Sequence, residues 1–384
     1  MTRNIIIIRF ALLLAFHFSL ILPAISQDSI PAEKKISLLF IGDIMGHDTQ
    51  IASAKNGETN TYNYDDVFKY IEPVISEADV AIANLEVTLA GPPFKGYPQF
   101  SSPAELAVAC ANAGIDYFVL ANNHSADRGK KGIISTINKL DSLGIPHTGT
   151  FLSQEARDSL SPLMINRNGF SLALLNYTYG TNGIRVPKPV IVDSLDKAVV
   201  TADIEKARKM NPDAVILFLH WGTEYDTVPG SGQAALADYF LSAGADLVIG
   251  SHPHVLQKMV WSKEAGTGRD RLVVYSLGNF VSNQRKPKTD GGSMVRIELT
   301  KTDTLKIKNA GYYLTWVYTP IENQRLRFFI LPCSEFEKKQ DFFGSSTDYN
   351  MMLRFIGDSR KLLRSQNTGI NEYIFEGAGW VLDN

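Results

Sequence analysis

Long apolar runs are scarce in this chain. Outside one N-terminal stretch, Phe10 to Leu22, none approaches bilayer length, which excludes a helical protein that crosses the membrane many times. Cysteine is rarer still. Cys110 lies in an apolar helical pattern and Cys333 ends an apolar run, so both read as small core residues; two thiols exclude a disulfide-built scaffold, although an exported chain could pair them. Basic charge has no excess, with 38 Lys and Arg against 40 Asp and Glu, which removes the electrostatic footprint of a nucleic-acid binder. No repeat or low-complexity tract occurs.

The N-terminal stretch reads as a secretory signal over residues 1–26. Arg3 and Arg9 precede or enter the apolar run, and Ala24-Ile25-Ser26 supplies small residues for cleavage. The expected address is the periplasm or the cell surface, with an uncleaved anchor as the alternative. No cysteine stands near the cleavage site to carry a lipid. Cleavage removes two arginines and no acid, leaving 36 basic and 40 acidic residues, a formal charge of −4. Residues 27–35 read as a polar linker.

From Ile36 the chain repeats one device: an apolar run of strand length ends in polar residues, and an amphipathic helix follows. "ISLLFIGDIMGH" ends in Asp43, with His47 four residues on; "DVAIANLE" ends in Asn84 and Glu86. "IDYFVLANNHSAD" delivers Asn122, Asn123, His124 and Asp127, and "DAVILFLHWGTEY" delivers His220, Trp221 and Glu224. "RLVVYSLGNF" ends in Ser276 and Asn279. Helices are expected at Asp65–Glu77, Pro103–Asn112, Lys131–Leu143, Ala202–Met210 and Gln233–Ala243. This alternation predicts parallel strands joined by crossover helices, with ligands beyond the strands' carboxyl ends. The loop 91–98 with Tyr97, and Phe100 beyond it, and the loop 179–189 are placed near that end. After residue 293 the period-2 patterns "SMVRIELT", "GYYLTWVYT" and "LRFFILP" predict antiparallel strands, then a helix at Tyr349–Ser365.

The strongest stretch is "DLVIGSHPHVLQ". His252 and His254 alternate, which in extended backbone puts both on one face at a strand end. Neutral imidazoles converging there are a metal-site signal. Of the six histidines beyond the signal segment, five (His47, His124, His220, His252 and His254) fall at or just beyond strand ends; His147, after Pro146, reads as structural.

Together "GDIMGH", "NLE", "ANNHSADRG", "HWGTEY", "GSHPHVLQ" and "YSLGNF", in this order, resemble the CapA family of capsule and poly-γ-glutamate synthesis proteins. The resemblance runs from about Ile36 to Gln284. That family looks like a branch of the calcineurin-like metallophosphoesterase superfamily, which implies a four-layer α/β/β/α sandwich over residues 36–300, with residues 301–384 as a smaller α+β extension. It also implies one or two divalent ions, Mn, Fe or Zn. By resemblance, the metal ligands are Asp43, Glu86, Asn123, His220, His252 and His254, with His47 a candidate that matches no ligand position of the superfamily. Met45 stands where the superfamily has its second ligand, and Glu86 where it has a bridging aspartate. His124 becomes the proton donor, with Asp127 either orienting it or pairing with Arg128. Glu224, Trp221 and Asn279 are substrate-side candidates; Trp221 could equally fill the core and Asn279 cap a strand.

The expected activity is hydrolysis, by a metal-activated water, of a phosphoester or of an ester or amide in an anionic envelope polymer, with a capsule synthase in the membrane as a partner. The competing expectation is a non-catalytic envelope component that binds such a polymer or synthase through a relict metal site. A deacetylase or amidase on a similar frame is the third.

Overall fold

Alternation inside single strands explains how the chain layers. In the computed structural model, which describes residues 33–383, Leu38 and Phe40 of the strand Lys34–Ile44 point into one apolar cluster while Leu39 and Ile41 point into another. The strand Ala214–His220 does the same: Ile216 and Phe218 join the cluster of Phe40, and Val215, Leu217 and Leu219 face the opposite way. The shared cluster is therefore the seam between two sheets. The two outer clusters are where helices cover them: Leu106 and Cys110 against the first sheet, Val200, Ile204 and Phe240 against the second. The result is an α/β/β/α sandwich, buried on both faces of both sheets, which is why the strands read as unbroken apolar runs.

The sheets are mixed rather than wholly parallel. In the ten-stranded sheet, Lys34–Ile44, Val80–Leu85, Tyr117–Val119 and His147–Thr148 run parallel. Gly291–Lys301 then lies antiparallel to the first of these along its length, and Leu305–Tyr318 antiparallel to that. The six-stranded sheet has four parallel strands, Asp270–Val274, Leu247–Ser251, Ala214–His220 and Phe170–Thr178, between antiparallel edges Met259–Lys263 and Leu163–Arg167.

A boundary at residue 300 thus falls inside a continuous sheet. Strands 305–318, 329–332, 371–376 and 379–382 extend the first sheet, and Met352, Phe355, Ile356 and Leu363 of the helix Ser346–Gln366 pack into the inter-sheet core. The chain after 300 is part of the sandwich because its apolar residues complete that core.

Helix boundaries follow local chemistry. The expected helix over 65–77 is two short ones, Asp65–Phe68 and Glu72–Ile75; Pro73 has no N–H to carry a helix through. The helix expected from Ala202 starts at Lys197, because Asp196 accepts from the N–H groups of Ala198 and Val199. Lys34 and Lys35, expected in the linker, already pair with Lys301 and Thr300. The signal segment and residues 27–32 of the linker lie outside the described residues. Among the described residues no helix is long and apolar enough to cross a membrane.

Candidate metal centre

Strand register assembles the site. In the first sheet Asp43 stands beside Asn84 on one side and Asn279 on the other. In the second, His220 stands between Thr178 and Ser251. The two rows meet at the carboxyl ends of the parallel strands. Gly42 and Gly250 let the strands close up there: a Cβ at Gly42 would strike the carbonyl of Gly278, and one at Gly250 the carbonyl of Tyr275.

Two groups of ligand atoms form, each spanning no more than 4.8 Å: Asp43, Glu86 and His220, and Glu86, His252 and His254. Glu86 belongs to both. All five side chains are buried. Both Glu86 oxygens lack any hydrogen-bond partner, with His220 Nε2 at 3.6 Å and His254 Nε2 at 3.9 Å. Burial, then the neighbouring Asp43, push its carboxyl well above the usual range. Asp43 differs: burial pushes its carboxyl up, but His254, the Asn84 amide at 2.7 Å and His252 together hold it below its ordinary value. Burial, then His254, depress His252 to about 3, and burial with the surrounding imidazoles drives His220 far down. Unprotonated imidazoles and an orphaned carboxylate are what a divalent ion requires of its donors.

The polar frame sets the tautomers. Asn279 donates through Nδ2 to Thr289 O (2.9 Å) and Gln284 (3.1 Å), so its Oδ1 faces His254 Nδ1 at 3.0 Å. His254 therefore donates from Nδ1, where Asp43 Oδ2 is a second acceptor at 3.2 Å, and this leaves the Nε2 lone pair toward Glu86. Asn279 is therefore an orienting residue: its amide is spent and offers substrate nothing. His252 and His254 both have left-handed backbone, φ +102° and +58°, a strain of about 1–3 kcal/mol each for non-glycine residues. His252 Nδ1 is buried without a partner.

Asn123 and His124 sit at this centre as expected of their motif. Asn123 Oδ1 is 3.0 Å from His220 Nε2. His124 Nδ1 is 2.8 Å from Asp127 Oδ2, which also accepts the Phe100 N–H at 2.6 Å, so Asp127 orients His124 and does not pair with Arg128. His47 stands apart from both ligand groups: its Nδ1 faces Gln50 and the Asn283 N–H, and burial holds it down at about 4. Glu224 is exposed on the rim, close enough to raise Glu86 further. Trp221 is corrected from the substrate side to the core: it is 1% exposed, stacks on Tyr275 and donates Nε1–H to the Tyr275 carbonyl at 3.0 Å. Strand alternation turns it away from His220, its neighbour. The motifs did not reveal that Asn84 holds Asp43, that Asn122 Oδ1 accepts the His124 N–H at 3.1 Å, or that Ser251 Oγ lies 3.0 Å from His220 Nδ1; their signal was only that a polar residue closes an apolar run.

The class defined here is an α/β/β/α protein whose strand ends gather buried carboxylates and imidazoles able to hold divalent metal. The chain belongs to the family of bacterial capsule synthesis proteins, PGA_cap, whose model matches residues 37–284. The capsule biosynthesis protein CapA of Bacillus anthracis is 31% identical over 284 residues, 71% of this chain. The match takes in 66% of that protein's own length, just under two thirds. The PGA biosynthesis protein CapA of Bacillus subtilis (strain 168) is 31% identical over 281 residues, 70% of this chain and 69% of that one. Among solved structures, the Haemophilus influenzae NAD nucleotidase NadN overlaps with TM-score 0.48 at 12% identity, covering 90% of this chain and 65% of that one, a likeness too loose to bear on function.

Proposed function

We propose that the protein is an exported, metal-dependent hydrolase that cleaves an ester, foremost a phosphoester, during formation of a capsule or other envelope polymer. The observation that carries this reading is Glu86, a buried carboxylate with no partner, shared between two ligand groups beside a buried histidine–aspartate pair. Asp43, Glu86, Asn123, His220, His252 and His254 would hold the metal, and their mixed oxygen and nitrogen donors suit Mn, Fe or Zn. A divalent ion there supplies Lewis-acid activation of water and neutralises phosphoryl charge. The chain's own residues do the rest. His124 keeps its Nδ1 proton on Asp127 and carries at Nε2 the proton for the leaving oxygen. Asn279 and Asn84 hold His254 and Asp43 in place, and burial excludes bulk water. The apolar N-terminal run Phe10 to Leu22 supports export, which would bring the protein to a polymer made by a membrane synthase.

The test joins metal content and turnover: plasma mass spectrometry on the purified protein, and hydrolysis of aryl phosphate mono- and diesters with added Mn. Near-stoichiometric metal, with turnover lost in both His124→Ala and His252→Ala, is expected. Metal without turnover on any ester would move the reading to amide chemistry or to a non-catalytic polymer-binding role. Failure to bind metal after reconstitution would sink it.

A further inference from the structure

Four aromatic side chains stand exposed among the described residues, and all are tyrosines: Tyr97, Tyr179, Tyr225 and Tyr239. Three of the four surround the metal centre. The Tyr179 ring lies 4.5 Å from that of His252 and stacks at 6.4 Å on His220. Tyr225 lies 6.3 Å from His254. Tyr97 leans on Phe100 at 6.5 Å, and Phe100 packs edge-on against His124 at 4.6 Å.

They arrive on three separate loops, so no local sequence bias explains their convergence. Tyr225 is also held at some strain: its φ is +69°, and its N–H donates to the Pro253 carbonyl at 2.8 Å, which latches its loop to the His252–His254 turn. An exposed aromatic ring in a strained, latched loop beside a reactive centre is built to meet a ligand.

Charge narrows the ligand. Apart from burial, the main influences raising the Tyr179 and Tyr225 phenols are carboxylates, Glu224 and Glu86, with Tyr97 also acting on Tyr225. Basic groups belong to the same rim: Lys286 lies 5.3 Å from the Tyr225 ring, the Tyr97 loop carries Lys95, 3.5 Å from Asp48, and Arg128 reaches that loop at the Pro93 carbonyl. The strongest charged neighbours of Asp43, Glu86, His220 and His252 are members of the site and Glu224, with no lysine or arginine among them. This rim is of mixed charge rather than a basic groove, and the positive charge of a divalent ion would lie beneath it. It suits a ring with an apolar face and hydroxyl edges: tyrosines offer flat faces with polar tips, and Glu224 offers oxygens that only accept hydrogen bonds.

We propose that Tyr97, Tyr179 and Tyr225, with Glu224, form a carbohydrate subsite that seats a pyranose ring next to the scissile ester. This rests on the hydrolase reading only for the word scissile; binding of the sugar stands by itself. The substrate class is then a glycan phosphoester rather than a bare polyanion.

Saturation-transfer NMR on the full chain loaded with zinc, a diamagnetic ion, tests binding without requiring turnover. The probes are methyl β-glucopyranoside, N-acetylglucosamine, adenosine and a γ-glutamyl oligopeptide. Transfer to one or both sugars is expected, with affinity roughly ten-fold weaker in Tyr179→Ala/Tyr225→Ala. It should be unchanged in Tyr239→Ala, since Tyr239 sits on the helix Ser231–Ala243 with Lys197 over its ring at 3.5 Å and Thr201 on its hydroxyl. Zinc content and thermal unfolding of each variant confirm an intact centre. Transfer to neither sugar, transfer indifferent to the double variant, or a preference for adenosine or the oligopeptide overturns the proposal. Sugar binding without ester hydrolysis would defeat the hydrolase reading and leave the subsite standing.

Discussion

Replacing Glu86 by glutamine removes a buried charge at nearly constant shape, and its effect has opposite signs in the metal-free and metal-bound protein. Without metal, both Glu86 oxygens are buried and unpaired. Burial, and then Asp43, raise its pKa in the folded state. The folded protein therefore binds the Glu86 proton more tightly than the unfolded chain does. That contribution is full below the unfolded pKa and is lost as pH rises through the folded one. Stripped with EDTA, Glu86→Gln should melt above wild type at pH 8, with a flatter pH dependence between 5 and 8. Metal reverses the order. A divalent ion at a hundred times its Kd adds about 2.7 kcal/mol to folding. With about 350 residues at roughly 2.1 cal/mol/K each, the unfolding entropy is about 0.7 kcal/mol/K, so wild type gains roughly 4 °C. A hundred-fold loss of affinity in the variant leaves about 0.4 kcal/mol, a shift under ~1 °C. Scanning calorimetry with and without Mn at both pH values reads all four states. A variant that keeps the full metal shift would refute Glu86 as a ligand; one that is no more stable than wild type when stripped would refute the claim that its charge is uncompensated.

Two further outcomes follow from the frame around the centre. Asn279→Ala should lower metal affinity about 10-fold with little change in the stripped protein's melting, because it removes one of the two acceptors, Asn279 and Asp43, that hold His254 Nδ1 and takes away no ligand; unchanged affinity by competitive chelator titration would reject the orienting role. Trp221→Ala should cost about 3–5 kcal/mol in urea unfolding while the folded fraction keeps its metal, as expected of a core residue; a loss below about 1 kcal/mol with impaired substrate binding would return Trp221 to the substrate side.

Much of the site was legible because register is a local property. Apolar runs that stop at Asp43, Asn84, His220 and Ser251 mark strand ends whatever sheet they join, and parallel pairing then lines those residues up. Both rings of His252-Pro253-His254 lie in one ligand group, but not through the extended alternation expected, because the backbone there is left-handed. Trp221 shows the limit. Its place after His220 suggests a pocket wall, but the strand's outer face packs on Tyr275, and that face exists only once the second sheet has formed.

By itself, the sequence determined the strand–helix alternation, the carboxyl-end location of the centre and its donor types, because each depends on periodicity and on which residues close a run. Two facing sheets were implied by the motif resemblance and not by periodicity; the tertiary structure alone decided that residues 305–382 complete the first of them, and that His47 stands aside while Asn279 orients His254. Those outcomes depend on which distant segments share a buried volume. Glu86 has no partner, and three tyrosines ring the opening, only because strands far apart in the chain end at one place.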